Sequence, residues 1–319
     1  MGNASNHSDQ KKSTVLITGG AGFIGTHVAR LLTREGISVR SLDLKDPRNA
    51  VDGVDYLHGD VRKESDLRKA IQGCSAVYHF AAIVNVGECQ EKPGESYATN
   101  FMGTIQVLEA IQQEGARTGS MPKIIFAGSS AVYGKAGKKN VPISESDVSD
   151  HPLSFYANQK LASEQAIRLY SEHRKVPAVV FRFFNVFGVG QDPTSPYSGV
   201  ITIFSRLARE GKDLQLHGGG EQTRDFISVI DIARANLAAL RLDPKNSDGQ
   251  GINLGTGKSV TIRELGETIL RVSKSRSQLI NTPAREGDVP HSLADVKRAK
   301  QVLNWESSVD LQKGLAELL

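Results

Sequence analysis

Cysteine is nearly missing from this chain of 319 residues, which holds only Cys74 and Cys89. Two thiols without metal-ligand spacing exclude a disulfide framework and a cysteine-built metal site, and they suit a reducing compartment. Both are expected to be packing residues. Long apolar runs are missing too: no stretch of about 18 apolar residues occurs, which excludes a membrane-spanning helix on length. The first 13 residues, MGNASNHSDQKKS, contain no apolar core of the kind a secretory signal needs. They read as a disordered lead-in. Their Met-Gly start opens like an acylation signal but places Asn6 where Ser or Thr is required. A strong charge of either sign is also lacking. The net charge of +4 would favour a small acidic ligand and equally needs no explanation beyond solubility. No nucleic acid, membrane or metal is expected as a partner, and the chain reads as cytoplasmic.

What is present is apolar material in regular alternation. With 39% hydrophobic and 23% charged residues, the chain can bury the core of one large domain or two closely joined ones. Short β-rich runs alternate with helical stretches: VLITG (15–19), SVRSLDL (38–44), VDYLHGD (54–60), AVYHFAA (76–82), KIIFAGSS (123–130) and AVVFRFFNV (178–186). Such a series predicts an α/β fold with a doubly wound parallel sheet of the Rossmann type. Between the first two runs, Ile24, Val28, Leu31 and Leu32 fall on one helical face, and Gly36 ends the helix. From about Gln191 the texture changes to loops rich in Pro, Gly and Ser with shorter helices and an amphipathic tail. This predicts a smaller, mixed α/β C-terminal lobe. Residues 225–242, DFISVIDIARANLAALRL, read as a strand and helix rejoining the first domain. The expected division is therefore discontinuous: 14–186 with about 225–254 in the first domain, 187–224 with 255–319 in the lobe.

Directly after the first run comes Gly19-Gly20-Ala21-Gly22-Phe23-Ile24-Gly25, which opens into the first helix. Glycines at 19, 22 and 25 let backbone N–H groups and the positive helix end approach a pyrophosphate, with Gly25 allowing close helix–strand packing. Placed between a strand and a helix, the pattern marks a dinucleotide site. Asp43 closes the second run, where a carboxylate would bond the adenosine ribose 2′-hydroxyl and repel a 2′-phosphate. NAD is therefore favoured over NADP, although Arg40, Lys45 and Arg48 stand close enough in sequence to receive a phosphate. Asp60, in His58-Gly59-Asp60-Val61, follows the third run and is placed to hold the adenine edge.

Tyr156 and Lys160, in Tyr-Ala-Asn-Gln-Lys, share one helix face at i and i+4. A tyrosine base working near neutral pH needs its pKa lowered by about 3 units, roughly 4 kcal/mol of differential stabilisation of the phenolate. A neighbouring ammonium and a positive nicotinamide ring can provide it. Alone the pair is a common helix decoration; after the fifth strand of a dinucleotide fold it becomes the leading candidate for the base.

The glycine signature, His79-Phe80-Ala81-Ala82, Ser129-Ser130-Ala131-Val132-Tyr133-Gly134, Tyr156-x-x-x-Lys160 and Arg182-Phe183-Phe184-Asn185 together resemble the extended short-chain dehydrogenase/reductase (NAD-dependent epimerase/dehydratase) family. The resemblance covers essentially the whole chain after the lead-in and is strongest to UDP-hexose 4-epimerases. It implies NAD as cofactor, contacted also by Phe23, Ile24, Val61, Ala81 and Asn100. It implies Ser129 as the hydroxyl bonded to the sugar 4-hydroxyl, Tyr156 as the base and Lys160 as the residue orienting the nicotinamide ribose. A transient 4-keto sugar then turns over and is reduced on its other face. Relatives that dehydrate or decarboxylate this intermediate carry an acidic residue just after the hydroxyl; here Ser130, which the resemblance also implies as a substrate contact, and Ala131 follow.

Asn185, Arg224, Arg285 and Asp288 match positions that, by the same resemblance, hold the UDP diphosphate and ribose, for which the planar arginine fork is suited. The fourth residue after Asp288 is Ser292, where a bulky aromatic resembles glucose/galactose enzymes and a small side chain leaves room for a 2-acetamido group. His291 beside it reads as structural. Galactose-type epimerases often carry a lysine after His-Phe-Ala-Ala; this chain has Val84. The expected function is an NAD-dependent UDP-sugar 4-epimerase accepting N-acetylated hexoses, in a homodimer. The alternatives are a UDP-glucose 4-epimerase without N-acetyl preference, an NAD(P)-dependent 4-ketoreductase, and a non-catalytic NAD-binding regulator.

Overall fold

Seven parallel strands run through the centre of the molecule. The structure, a computed structural model, describes residues 14–191, 199–284 and 289–319. Its first part is β1 (Thr14–Thr18), α1 (Phe23–Arg34), β2 (Ser38–Asp43), β3 (Val54–His58), α2 (Glu64–Ile71), β4 (Cys74–His79), α3 (Val86–Glu91), α4 (Pro93–Tyr97), α5 (Gly103–Thr118), β5 (Lys123–Ser129), α6 (Phe155–Arg174) and β6 (Ala178–Phe183). There follow β7 (Asn185–Phe187), α7 (Val200–Arg209), β8 (Leu214–His217), β9 (Thr223–Arg224), β10 (Phe226–Ser228), α8 (Val229–Arg241), β11 (Asp248–Leu254), β12 (Val260–Thr261), α9 (Ile262–Ser273), β13 (Leu279–Thr282), α10 (Lys297–Leu303) and α11 (Leu311–Leu318).

The sheet order is β11-β6-β5-β4-β1-β2-β3. Every neighbouring pair in it is parallel. From β1 in the middle the chain walks out through β2 to β3, then crosses back to β4 on the other side of β1. The order reverses between β1 and β4, and at such a point the carboxyl ends of the strands leave a crevice for a ligand. All six expected runs are strands of this sheet. Strands β5 and β6 are buried almost throughout, as continuous apolar strands covered on both faces must be. Val28 and Leu32 of α1 join Ile232 and Ala235 of α8 on one face. Leu67 of α2, Leu108 and Ile111 of α5 and Ile167 of α6 cover the other.

Two elements differ from the sequence reading. No strand is foreseen at 248–254, yet β11 closes the sheet edge against β6. Its opening, Asp248-Gly249-Gln250-Gly251, carries no β-branched or aromatic side chain, and pairing with a buried neighbour overrides that weak propensity. Segment 225–242 does contain a strand and a helix, and α8 packs beside α1. Its strand, however, stays out of the large sheet: β10 pairs in parallel with β7. In the smaller lobe β8 pairs with β13 and β9 with β12. Phe204, Leu214, Leu265, Ile269 and Leu315 form a separate core there. The expected disordered lead-in, residues 1–13, lies outside the described residues. No described helix is long and apolar enough to cross a membrane.

Candidate active site

The turn after β1 is built for close approach. Gly19 sits at φ +73°, and a Cβ on it would meet the backbone nitrogen of Ala81 at 2.6 Å. A Cβ on Gly25 would stand 2.4 Å from the Gly19 carbonyl oxygen, and one on Gly22 3.1 Å from the same atom. Gly22 caps α1 without a side-chain hydrogen bond, and the first turn has no acidic residue. Among the described residues no side chain caps the N-terminus of α1, so its first amides are open to a ligand's negative charge. Such a cradle fits a dinucleotide pyrophosphate. Asp43, at the end of β2, faces the same turn: Oδ2 accepts from Ala21 N at 3.1 Å and Oδ1 from Lys45 N at 3.0 Å. Asp60, after β3, is held by Arg62 at 2.6 Å, which keeps its carboxyl below the usual range. Val61 turns its side chain into the core against Gly103.

Asn100 is buried at 2% exposure. Its Oδ1 accepts from Ile83 N at 2.7 Å, and its Nδ2 donates to Ile83 O at 2.9 Å and Gln159 Oε1 at 2.7 Å. With both polar atoms engaged inside the chain, Asn100 braces the segment that follows β4.

Ser129 ends β5, and Tyr156 and Lys160 lie in the first turns of α6, whose N-terminus is capped by Ser154. Ser129 lies close enough to the Tyr156 phenol to pull its pKa down against burial, and Ser129 Oγ accepts from Ala131 N at 3.2 Å. Ser130 begins the short turn Ser130–Tyr133 that follows. The Lys160 ammonium donates to Ala127 O at 2.7 Å and stands 5.9 Å from the centre of the Tyr156 ring. Burial pushes the Tyr156 phenol up to about 12, against the pull of Ser129. The same burial brings Lys160 down to about 8. Lys160 alone thus does not create the phenolate; burial opposes both charged forms, and a further positive charge has to join them.

Asn185 starts β7 and donates through N and Nδ2 to Asp225 O at 3.0 and 3.3 Å. Arg224 Nη1 donates to Thr223 O at 2.9 Å. Ser292 is nearly buried, and its backbone nitrogen donates to Thr223 O at 3.1 Å. His291 Nδ1 pairs with Thr223 Oγ1 at 3.0 Å, in keeping with a structural histidine. Arg285 and Asp288 lie outside the described residues. Cys74 and Cys89 are buried and free.

Sequence reading passed over two groups. Asp225, fully buried, accepts from Thr256 N and Oγ1 at 2.7 Å, Gly257 N at 2.9 Å and Ala294 N at 3.2 Å. It ties the strand pair β7–β10 to the chain leaving Ser292; its only signal is its place beside Arg224. The other is Glu164, paired in the interior with Arg182 at 2.8 Å. Its signal is the spacing Tyr156, Lys160, Glu164.

Residues 15–255 match the NAD dependent epimerase/dehydratase family. A UDP-glucose 4-epimerase of Halalkalibacterium halodurans is 32% identical over 310 residues, spanning 92% of this chain and 90% of that protein. The solved UDP-glucose 4-epimerase of Thermotoga maritima, with UDP-glucose, superposes with a TM-score of 0.88 at 29% identity, covering 95% of this chain and 96% of that one. A UDP-N-acetylglucosamine 4-epimerase of Methanobrevibacter ruminantium M1, in complex with UDP-N-acetylmuramic acid, gives 0.85 at 32% identity, covering 96% and 97%.

Proposed function

The chain belongs to the NAD dependent epimerase/dehydratase family, and within it we propose a UDP-sugar 4-epimerase that accepts 2-acetamido hexoses. The observation that carries the reaction is the placement of Ser129, at the carboxyl end of β5, beside Tyr156, with Lys160 one helical turn on. Tyr156, as phenolate, takes the proton from the sugar O4 through Ser129 and returns it when the hydroxyl is re-formed. Ser129 holds O4 in line with Tyr156. Lys160, fixed by Ala127 O, orients the cofactor ribose and favours the phenolate. Bound NAD supplies the two-electron acceptor for the hydrogen on C4 and, when oxidised, a positive charge beside the phenol. Ser130 and Ala131 offer no carboxyl for elimination or decarboxylation.

Asn185, Arg224, Arg285 and Asp288 hold the UDP diphosphate and ribose in this reading. Acceptance of the acetamido group is supported by Ser292, whose small side chain leaves space that an aromatic ring would fill. Conversion of UDP-N-acetylglucosamine to its 4-epimer tests the proposal. Ser292→Tyr is expected to cut kcat/KM for that substrate more than about tenfold while sparing UDP-glucose; equal losses on both would contradict the gate. The homodimer implied by the family resemblance belongs to the same proposal, and sedimentation at the mass of two chains checks it.

A further inference from the structure

Beyond Lys160 the same face of α6 runs into a buried ion pair. Tyr156, Lys160 and Glu164 follow at i, i+4 and i+8 and so stack along one side of the helix. Lys160 and Glu164 are 3% and 5% exposed. The Lys160 ammonium rests on Ala127 O at 2.7 Å and over the Phe126 ring at 4.8 Å. A carbonyl and an aromatic face are thin support for a buried charge, which needs a counter-charge to persist.

Glu164 offers one. Its Oε2 receives Arg182 Nε at 2.9 Å and Nη2 at 2.8 Å. Its Oε1 is buried with no hydrogen-bond partner among the described residues. That oxygen lies against β5, 2.6 Å from where a Cβ on Gly128 would be, and Gly128 is the residue next to the one whose carbonyl holds Lys160. Arg182 is fixed in turn, donating to Tyr133 OH at 3.1 Å and Glu145 O at 2.8 Å.

We propose that Glu164 is a positioning residue whose carboxylate, clamped by Arg182, is the counter-charge that keeps Lys160 an ammonium beside Tyr156. This rests on the reading of Tyr156 and Lys160 as the proton-handling pair. The other titratable groups acting on Lys160 or acted on by it are His79 from β4 and Cys89 from α3. Burial drives His79 down to about 3 and pushes the Cys89 thiol above its ordinary range, so both are neutral at physiological pH. Glu164 faces Arg182 and Tyr133, and a cleft of about 810 Å³ behind α6 adds Glu145, Arg168, Asp295 and Arg298 to its surroundings. Burial favours neutral Lys160, and Glu164 opposes it; burial likewise favours protonated Glu164, and Arg182 opposes that.

The test is an NMR titration of isotope-labelled lysine side chains, with Lys160→Arg identifying the Lys160 resonance. In Glu164→Gln the Lys160 midpoint is expected to fall by about one pH unit, the scale a single nearby charge produces. Glu164→Asp, which keeps the charge, is expected to restore most of it. The alkaline limb of the kcat profile should move down with the midpoint while KM holds. An unchanged midpoint in folded Glu164→Gln protein overturns the proposal. If the unpaired Arg182 unfolds that variant, the double change Glu164→Gln with Arg182→Gln removes both charges, and there a lowered midpoint supports the proposal and an unchanged one overturns it. The titration reads the ammonium whatever reaction is catalysed, so a failure of the epimerase reading would show separately, as an absent 4-epimer.

Discussion

At Tyr156 two demands conflict. The phenol must sit in a dry crevice to hand a proton to a sugar, yet burial pushes it up to about 12. Because a raised phenol pKa leaves less phenolate at neutral pH, activity requires a cationic partner to bring it down. Ultraviolet titration of phenolate, with Tyr156→Phe subtracted, should therefore show the Tyr156 midpoint near 12 in the free chain and clearly lower once NAD is added. Tyr156→Phe should lower kcat by at least about a hundredfold, the usual range for a lost acid–base group, while NAD stays bound. Residue identity made Ser129, Tyr156, Lys160 and Asp43 legible in the sequence, since each carries its motif. The direction in which Lys160 points was not, because its acceptor is a main-chain carbonyl on strand β5, 33 residues away. The bracing role of Asn100 was hidden for a related reason: its partners, Ile83 and Gln159, lie 17 and 59 residues away.

Among the elements, the strand–turn–helix around Gly25 was legible because backbone approach dictates glycine. Gly25→Ala would drive a methyl group into the Gly19 carbonyl. It should cost about 1–3 kcal/mol in chemical unfolding and release NAD, whereas an unaltered NAD complex would show that the turn relaxes. The helices also anchor charge that the sequence did not foretell. Glu114 of α5 is nearly buried, receives Gly73 N at 2.7 Å and Arg117 at 2.6 Å, and its carboxyl is held below the usual range chiefly by Arg117. Asp60 is lowered by Arg62 in the same way. A carboxyl with a depressed folded pKa stabilises above its unfolded value of about 4 and loses that contribution as pH falls through the folded value. Urea midpoints should accordingly hold steady from neutral pH to about 5 and fall below about 4, with a shallower fall in Glu114→Gln. Strand β11 escaped the sequence because a Gly-rich segment becomes a strand only through its neighbour β6.

For the molecule as a whole, the sheet order and the position of the motifs agree. The glycine turn, Asp43, Ala81, Ser129 and Asn185 all lie at or just past the carboxyl ends of the strands, where the order reverses or beside it. The smaller lobe reaches this edge through Asp225, which links β10 to the chain after Ser292. The alternation of apolar runs made the sheet legible, whereas the lobe, built from short strands paired over long separations, was visible only as a change of texture. The proposed reaction inverts C4 without net oxidation. The most direct measurement is incubation of the protein with NAD and a panel of UDP-glucose, UDP-N-acetylglucosamine and UDP-N-acetylglucosaminuronic acid, with no added reductant and products resolved by chromatography. A 4-epimer is predicted from at least one of them, UDP-N-acetylglucosamine foremost, with no NADH accumulating. Absence of any 4-epimer across the panel would contradict the account.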